Sequence, residues 1–234
     1  MKRVVIVGAS GMVGGCALRY ALRNPTVEQV ISVGRKHLGI SHPKLREALV
    51  PDFADCSALA ETLSGQHAVI FCLGTYTGAV SAAEMRKITV DYTIEFARVL
   101  HAASPEATFV FLSGNGADPS GRSRIAFARD KGAAENSLVA AGFPRLYLLR
   151  PAYIYPVEPR REPALSYRFL RAVYPAFRVL FPGLSVRSDD LGRVMLALSL
   201  QDAGPPEIQV LENRDIQAMA RSATTRDSTY TNHF

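Results

Sequence analysis

Apolar positions come in short blocks separated by polar, glycine-rich or proline-rich links, and the blocks alternate between two periods. Val4-Val5-Ile6-Val7 is an unbroken apolar run stopped by Gly8, the pattern of a strand buried on both faces. Helical spacing follows over residues 12–23, ended by Asn24-Pro25. Val30-Ile31-Ser32-Val33 is a second strand and Ala48-Leu49-Val50 a short third. A helix is expected near Ala58–Leu63, then a buried strand at Ala68-Val69-Ile70-Phe71-Cys72-Leu73. From Ala82 to Ala103, Ile88, Tyr92, Phe96, Val99, Leu100 and Ala103 recur every three or four residues, which predicts a helix. A fifth strand at 108–112, a helix at 124–141 and a sixth strand at 146–149 complete the series.

Strands alternating with helices predict a doubly wound α/β sheet. Right-handed crossovers give the order 3-2-1-4-5-6, with a ligand outside the carboxyl ends of the strands. The rhythm changes after residue 156. Pro156, Pro159 and Pro163 mark a loop. Residues 166–181 mix aromatics with arginines, a pattern that fits a helical lid over a substrate, a membrane-surface helix or a subunit contact. Ser188-Asp189-Asp190 reads as an N-cap before a helix at 191–200, and 208–211 as a late edge strand. The expected organisation is one domain over 1–220, with a lid segment over about 156–205. A tail over 221–234, rich in Ser, Thr and Asn, is expected to be disordered.

Composition narrows the function. Apolar residues make up 48% of 234, enough for a real core. Net charge is +6, yet the basic residues are scattered where a nucleic-acid site would cluster them, so no nucleic-acid partner is expected. Only five of the 27 are lysine, and arginine serves an anionic small ligand well. Cys16, Cys56 and Cys72 are odd in number and lack metal-ligand spacing, which points to a reducing compartment, taken as the cytoplasm. The five histidines are dispersed, so no metal site is expected. Met1-Lys2-Arg3, the apolar run and Val13-Gly14-Gly15-Cys16 could pass for a signal peptide, but the same residues form a complete strand–loop–helix unit. No stretch is long and apolar enough to span a membrane.

That unit carries the chemistry. Gly8-Ala9-Ser10-Gly11-Met12-Val13-Gly14 follows a strand and opens a helix. Its glycines suit a tight turn, close approach of backbone to a pyrophosphate, and helix-on-strand packing. The helix N-terminus offers free N–H groups to phosphate. An NAD site usually has an acid at the end of the second strand; here the chain reads Gly34-Arg35-Lys36, which suits the 2′-phosphate of NADP(H).

The glycine loop, Gly34-Arg35-Lys36, Cys72-Leu73-Gly74-Thr75, Val90-Asp91-Tyr92, Ser113-Gly114-Asn115-Gly116-Ala117, Lys131-Gly132 and Leu211-Glu212-Asn213 occur in order. This combination resembles the atypical short-chain dehydrogenase/reductases, most nearly the Tat-interacting-protein-like oxidoreductase group, over residues 3–215. The resemblance implies an NADP(H)-dependent oxidoreductase acting on a small carbonyl or alcohol, with a hydrophobic substrate and an oligomer left open. It implies pyrophosphate contacts from Ser10 to Val13, adenine lined by Asp52 and Phe53, and Leu73, Gly74 and Thr75 along the cofactor. Lys131 would hold the nicotinamide ribose, and backbone at Ala152 and Ile154 would face the carboxamide, although the group usually has Gly at the position of Ala152. Catalysis in such proteins uses Ser, Tyr and Lys, with Tyr four residues before Lys. Ser113 and Lys131 are present, but the tyrosine position is Phe127, which has no proton to transfer. Three readings follow: the protein binds cofactor without catalysis, as a regulator or sensor; Tyr76, Tyr153 or Tyr155 substitutes; or water donates the proton.

Overall fold

The computed structural model describes residues 1–75, 78–158, 183–202 and 204–231. β1 (Lys2–Val7) enters the middle of the sheet and α1 (Met12–Arg23) returns the chain to β2 (Val27–Gly34) and then β3 (Leu45–Leu49). A single 3-10 turn at Ser57–Leu59 stands where a longer helix is expected; proline and aspartate before it and Gly65 after it leave little room for a helix. β4 (Ala68–Phe71) crosses to the other side of β1. α2 (Ala82–Arg86) and α3 (Tyr92–Ala103) follow, joined by a π-helical turn at Lys87–Asp91 where one helix is expected. Then come β5 (Thr108–Leu112), α4 (Ala126–Ala141), β6 (Arg145–Arg150) and β7 (Tyr153–Tyr155). The chain resumes with β8 (Ser185–Arg187), α5 (Ser188–Ser199), β9 (Glu207–Glu212) and α6 (Asn213–Thr231).

Seven strands form one parallel sheet in the order β3-β2-β1-β4-β5-β6-β9, the expected winding with the late strand at the edge. Alternating side chains go to opposite faces, and both faces are buried over the inner strands. Val5, Val7, Val69, Phe71, Phe109 and Leu146 pack under α3 and α4. Val4, Ile6, Ile70, Val110 and Leu149 pack under α1, α5 and α6. The residues that could pass for a signal peptide form the interior strand β1 and its helix α1.

Three expectations change. The segment over 156–205 is not all lid. In α5, Leu191, Val194, Met195 and Leu198 are buried core, and a Cβ on Gly192 would come within 2.7 Å of the Cys16 Cβ on α1. Residues 159–182, which carry the aromatic and arginine-rich part of that segment, lie outside the described residues. Ser188 is the first residue of α5 rather than its cap; its Oγ accepts a hydrogen bond from Val157 N at 3.2 Å. Finally, α6 runs to Thr231, past the boundary at 221 where composition predicts disorder; no glycine or proline interrupts the chain after Pro206.

β7 and β8 form a separate two-stranded sheet beside the carboxyl end of β6. It pairs Tyr153 with Ser185 and Tyr155 with Arg187.

Candidate functional site

Gly8 has φ +82°, and a Cβ there would stand 2.9 Å from the Cys72 carbonyl oxygen at the end of β4. A Cβ on Gly14 would stand 2.3 Å from the Gly8 carbonyl oxygen, so the first turn of α1 can sit on the loop only without a side chain. Gly11 is the N-cap of α1 and supplies no side-chain acceptor, which leaves the first-turn N–H groups facing the loop. A cleft of about 190 Å³ runs along Ser10, Gly11 and Met12, bounded by Pro156, Val157 and Glu158. Val13 is buried. The helix N-terminus, the short turn and the missing Cβ atoms fit a pyrophosphate.

Arg35 and Lys36 follow β2 and are exposed, with no carboxylate at the strand end. Asp52 is exposed at the neighbouring loop. A hydrogen bond from Tyr92, then one from Ala54 N, holds its carboxyl below the usual carboxylate range, with the Lys87 ammonium 3.7 Å away. Phe53 departs from expectation. Its side chain is 1% exposed and packs on Tyr92 at 5.9 Å between centroids, so it is core and presents no ring face to an adenine. Leu73, Gly74 and Thr75 leave the end of β4 next to Gly8, Gly74 exposed and the other two half-buried.

Lys131 is buried against the end of β5. Its Nζ donates to the Leu112 carbonyl at 2.8 Å and sits 4.8 Å from the Phe111 ring centroid. Burial pushes the ammonium down to about 8, with Cys72 and Glu135 pulling the other way. The Cys72 thiol is pushed up to about 12 by burial.

A second pocket, of about 410 Å³, brings together Ser113, Gly114, Phe127, Ala152, Tyr153 and Ile154. Phe127 covers Gly114: a Cβ on that glycine would be 2.6 Å from the ring Cζ. The position of the usual tyrosine is thus filled by a hydrocarbon edge. Tyr153 lines this pocket; Tyr155 lies on β7 outside its lining, and Tyr76 lies outside the described residues. The Ala152 N–H, expected to face a carboxamide, donates to Asn213 Oδ1 at 3.0 Å.

The pattern of the sequence does not signal Glu135, Arg150 or Asn213 as parts of the site. Glu135 stands one turn after Lys131 on α4 and is 1% exposed. Ser113 Oγ donates to its Oε1 at 2.5 Å, and Arg150 grips both carboxylate oxygens through Nε at 3.0 Å and Nη2 at 2.5 Å. Arg150 Nη1 also reaches Glu212 at 3.2 Å. Asn213 Nδ2 donates to the Gly183 carbonyl at 2.7 Å, so Asn213 ties Gly183 to Ala152. The i, i+4 spacing of Lys131 and Glu135 is a signal available beforehand, as is Asn213 in the Leu211-Glu212-Asn213 motif. Among the described residues no group of side chains could hold a metal ion, and no helix is long and apolar enough to cross a membrane.

The parallel sheet, its order and the glycine cradle at the switch point define a Rossmann-type α/β protein. Solved structures agree on the fold. A UDP-glucuronic acid 4-epimerase from Bacillus cereus, solved with NAD, superposes with TM-score 0.67 at 14% identity, covering 95% of this chain and 84% of that one. A uronate dehydrogenase from Agrobacterium tumefaciens gives 0.65 at 18%, covering 99% and 90%. No family model matches the chain. Among proteins similar in sequence, the mitochondrial protein fmp52 of Emericella nidulans is 28% identical over 231 residues, 92% of this chain and 97% of the relative. HTATIP2 of Rattus norvegicus is 26% identical over 226 residues, 95% of this chain and 90% of the relative. The chain is thus similar over nearly its whole length to the Fmp52 and HTATIP2 proteins. The cytoplasmic expectation is corrected here: the Fmp52 relatives from Emericella nidulans, Saccharomyces cerevisiae and Aspergillus fumigatus are named mitochondrial. Reduced cysteines report a reducing environment and do not distinguish one such compartment from another.

Proposed function

We propose that this protein binds NADP(H) and acts as an oxidoreductase of the atypical short-chain class on a small carbonyl or alcohol. The observation that carries the reading is the glycine cradle over the uncapped start of α1, followed at the end of β2 by two exposed cations and no acid. The NAD-bound structural neighbours support a nicotinamide dinucleotide. When bound, such a cofactor supplies or takes a hydride. The chain's own residues bind and orient it: backbone at Ser10–Val13 meets the pyrophosphate, Arg35 and Lys36 the 2′-phosphate, and Lys131 the ribose beside the pocket of Ser113 and Phe127. Hydrogen bonds to a charged group contribute about 1.5–3 kcal/mol each. NADPH should therefore bind about 10- to 100-fold more tightly than NADH in titration calorimetry. Arg35→Ala with Lys36→Ala should remove most of that difference. Equal affinities in the unaltered protein would reject the cofactor assignment.

A second reading, a non-catalytic NADP(H) sensor, is favoured by Phe127 and by the capture of the Ser113 hydroxyl by Glu135. Phe127→Tyr separates the two. A phenol at this position restores a proton donor beside Gly114, and general acid groups contribute about 10²–10⁴-fold to rate. A rise in NADPH-dependent reduction of reactive carbonyls in that variant supports a latent reductase. An unchanged baseline with NADPH bound supports the sensor. Wild-type turnover lost in Tyr153→Phe would assign the proton to Tyr153.

A further inference from the structure

The capture of Ser113 has a consequence for what the pocket recognises. Glu135 is clamped by the Arg150 guanidinium through both oxygens, so it is a carboxylate and can only accept hydrogen bonds. The 2.5 Å bond to Ser113 must use the serine hydroxyl hydrogen. A hydroxyl has one hydrogen and two lone pairs. With the hydrogen committed inward, Ser113 can offer the pocket only acceptor lone pairs. Turning the hydrogen out to a carbonyl would break a charge-assisted bond and strand an acceptor on a carboxylate that is 1% exposed. The remaining lining is largely apolar: Phe127, Pro151, Ile154 and Leu184, with Asn115 and Tyr153 as the other polar members. No charged side chain lines this pocket among the described residues.

We propose that this pocket takes a small apolar alcohol, whose hydroxyl donates to Ser113, and that Glu135 is the positioning residue that fixes Ser113 as an acceptor. The inference rests on the nucleotide-binding reading only in setting the pocket beside a cofactor. It inverts the role that the resemblance implies for Ser113, which is donation to a carbonyl.

The test compares two probes of similar size and opposite hydrogen-bonding sense. 2-Phenyl-2-propanol donates and, having no carbinol hydrogen, cannot be oxidised; acetophenone only accepts. Each is titrated by ligand-observed NMR into the full chain, with NADP⁺ and without it. Net hydrogen-bond contributions near 1 kcal/mol predict that the alcohol binds about fivefold more tightly. In Ser113→Ala the two affinities should converge. In Glu135→Gln the ratio should narrow, because an amide offers Ser113 both a donor and an acceptor; a merely structural role for Glu135 would move both affinities together and leave the ratio intact. A wild-type ratio of one or less, a ratio that survives Ser113→Ala, or no binding of either probe would overturn the proposal. Should Glu135→Gln fail to fold, the wild type and Ser113→Ala still decide it. Failure of NADP⁺ to bind while the alcohol preference holds would remove the cofactor reading and leave this one standing.

Discussion

Lys131 is a buried cation whose chemistry departs far from its ordinary state. It donates to the Leu112 carbonyl in a setting that pushes its pKa down to about 8 from an ordinary 10.5. The dominant cause is burial, which penalises the charged form. Between pH 8 and 10.5 an unfolded chain keeps this proton and the folded chain releases it, so the unfolded state binds more protons and stability from this group rises with pH. Below about pH 8 the burial penalty is present in full. Lys131→Met removes the titration. Its stability relative to the parent should therefore be most favourable at pH 7.5 and should decline by pH 10, read from urea midpoints. Cys72 is pushed up to about 12 and touches the same charge, so the comparison belongs in a Cys72→Ala background. Cys56 and Tyr147, also pushed up to about 12, are common to both chains and cancel. A pH-independent difference would show that Lys131 titrates normally, as an exposed lysine does.

At the scale of elements, α4 places both Lys131 and Glu135, and its position is set by backbone contact. A Cβ on Gly132 would come 2.0 Å from the Asp118 carbonyl oxygen and 2.5 Å from Pro119 N. Asp118 N donates to the Ala128 carbonyl at 2.8 Å, and Asn136 Nδ2 to the Pro119 carbonyl at 2.8 Å, so the loop cannot easily retreat. Gly132→Ala should destabilise by about 1–3 kcal/mol or more, as overpacking does, and should weaken NADPH binding by displacing Lys131. Ala133→Gly, its half-buried neighbour, should cost only about 1 kcal/mol of helix propensity and leave NADPH affinity alone. Chemical denaturation with calorimetry on both variants makes the comparison, and equal losses would deny α4 this role. Elements of this kind were legible where one physical signal dominated. Val4–Val7 and the glycine loop announced β1 and α1 because a double-sided core and a tight turn each restrict residue type. The separate β7–β8 pair was not legible: three residues a side carry too short an alternation, and their pairing depends on chain ends brought together by Asn213. Glu135 and Arg150 read as ordinary surface charges, since a pairing across two elements leaves no periodicity. Phe53 was assigned to a ligand by resemblance, and the core claimed it because it packs on Tyr92.

For the whole molecule, the question is where the domain stops. α6 begins with Asn213 on the pocket side and buries Ile216 and Ala220 against the face that also holds α1 and α5. Gln217 Nε2 donates to the Ser185 carbonyl at 2.6 Å. After Ser222 the sequence is Ala-Thr-Thr-Arg-Asp-Ser-Thr-Tyr-Thr-Asn-His-Phe, with little apolar surface to offset the entropy of ordering. Deletion of 223–234 should therefore leave Tm and NADPH affinity unchanged. Deletion from residue 213 onward should lower both, because it removes the Ile216 and Ala220 contacts and the Asn213 bonds to Ala152 and Gly183. Thermal melts and calorimetry on the two truncations measure this directly. A drop in Tm for the shorter deletion would mean that the end of α6 docks. Dependence of that drop on protein concentration would assign the docking to a second copy, since association stabilises a fold by mass action and contacts within one chain do not.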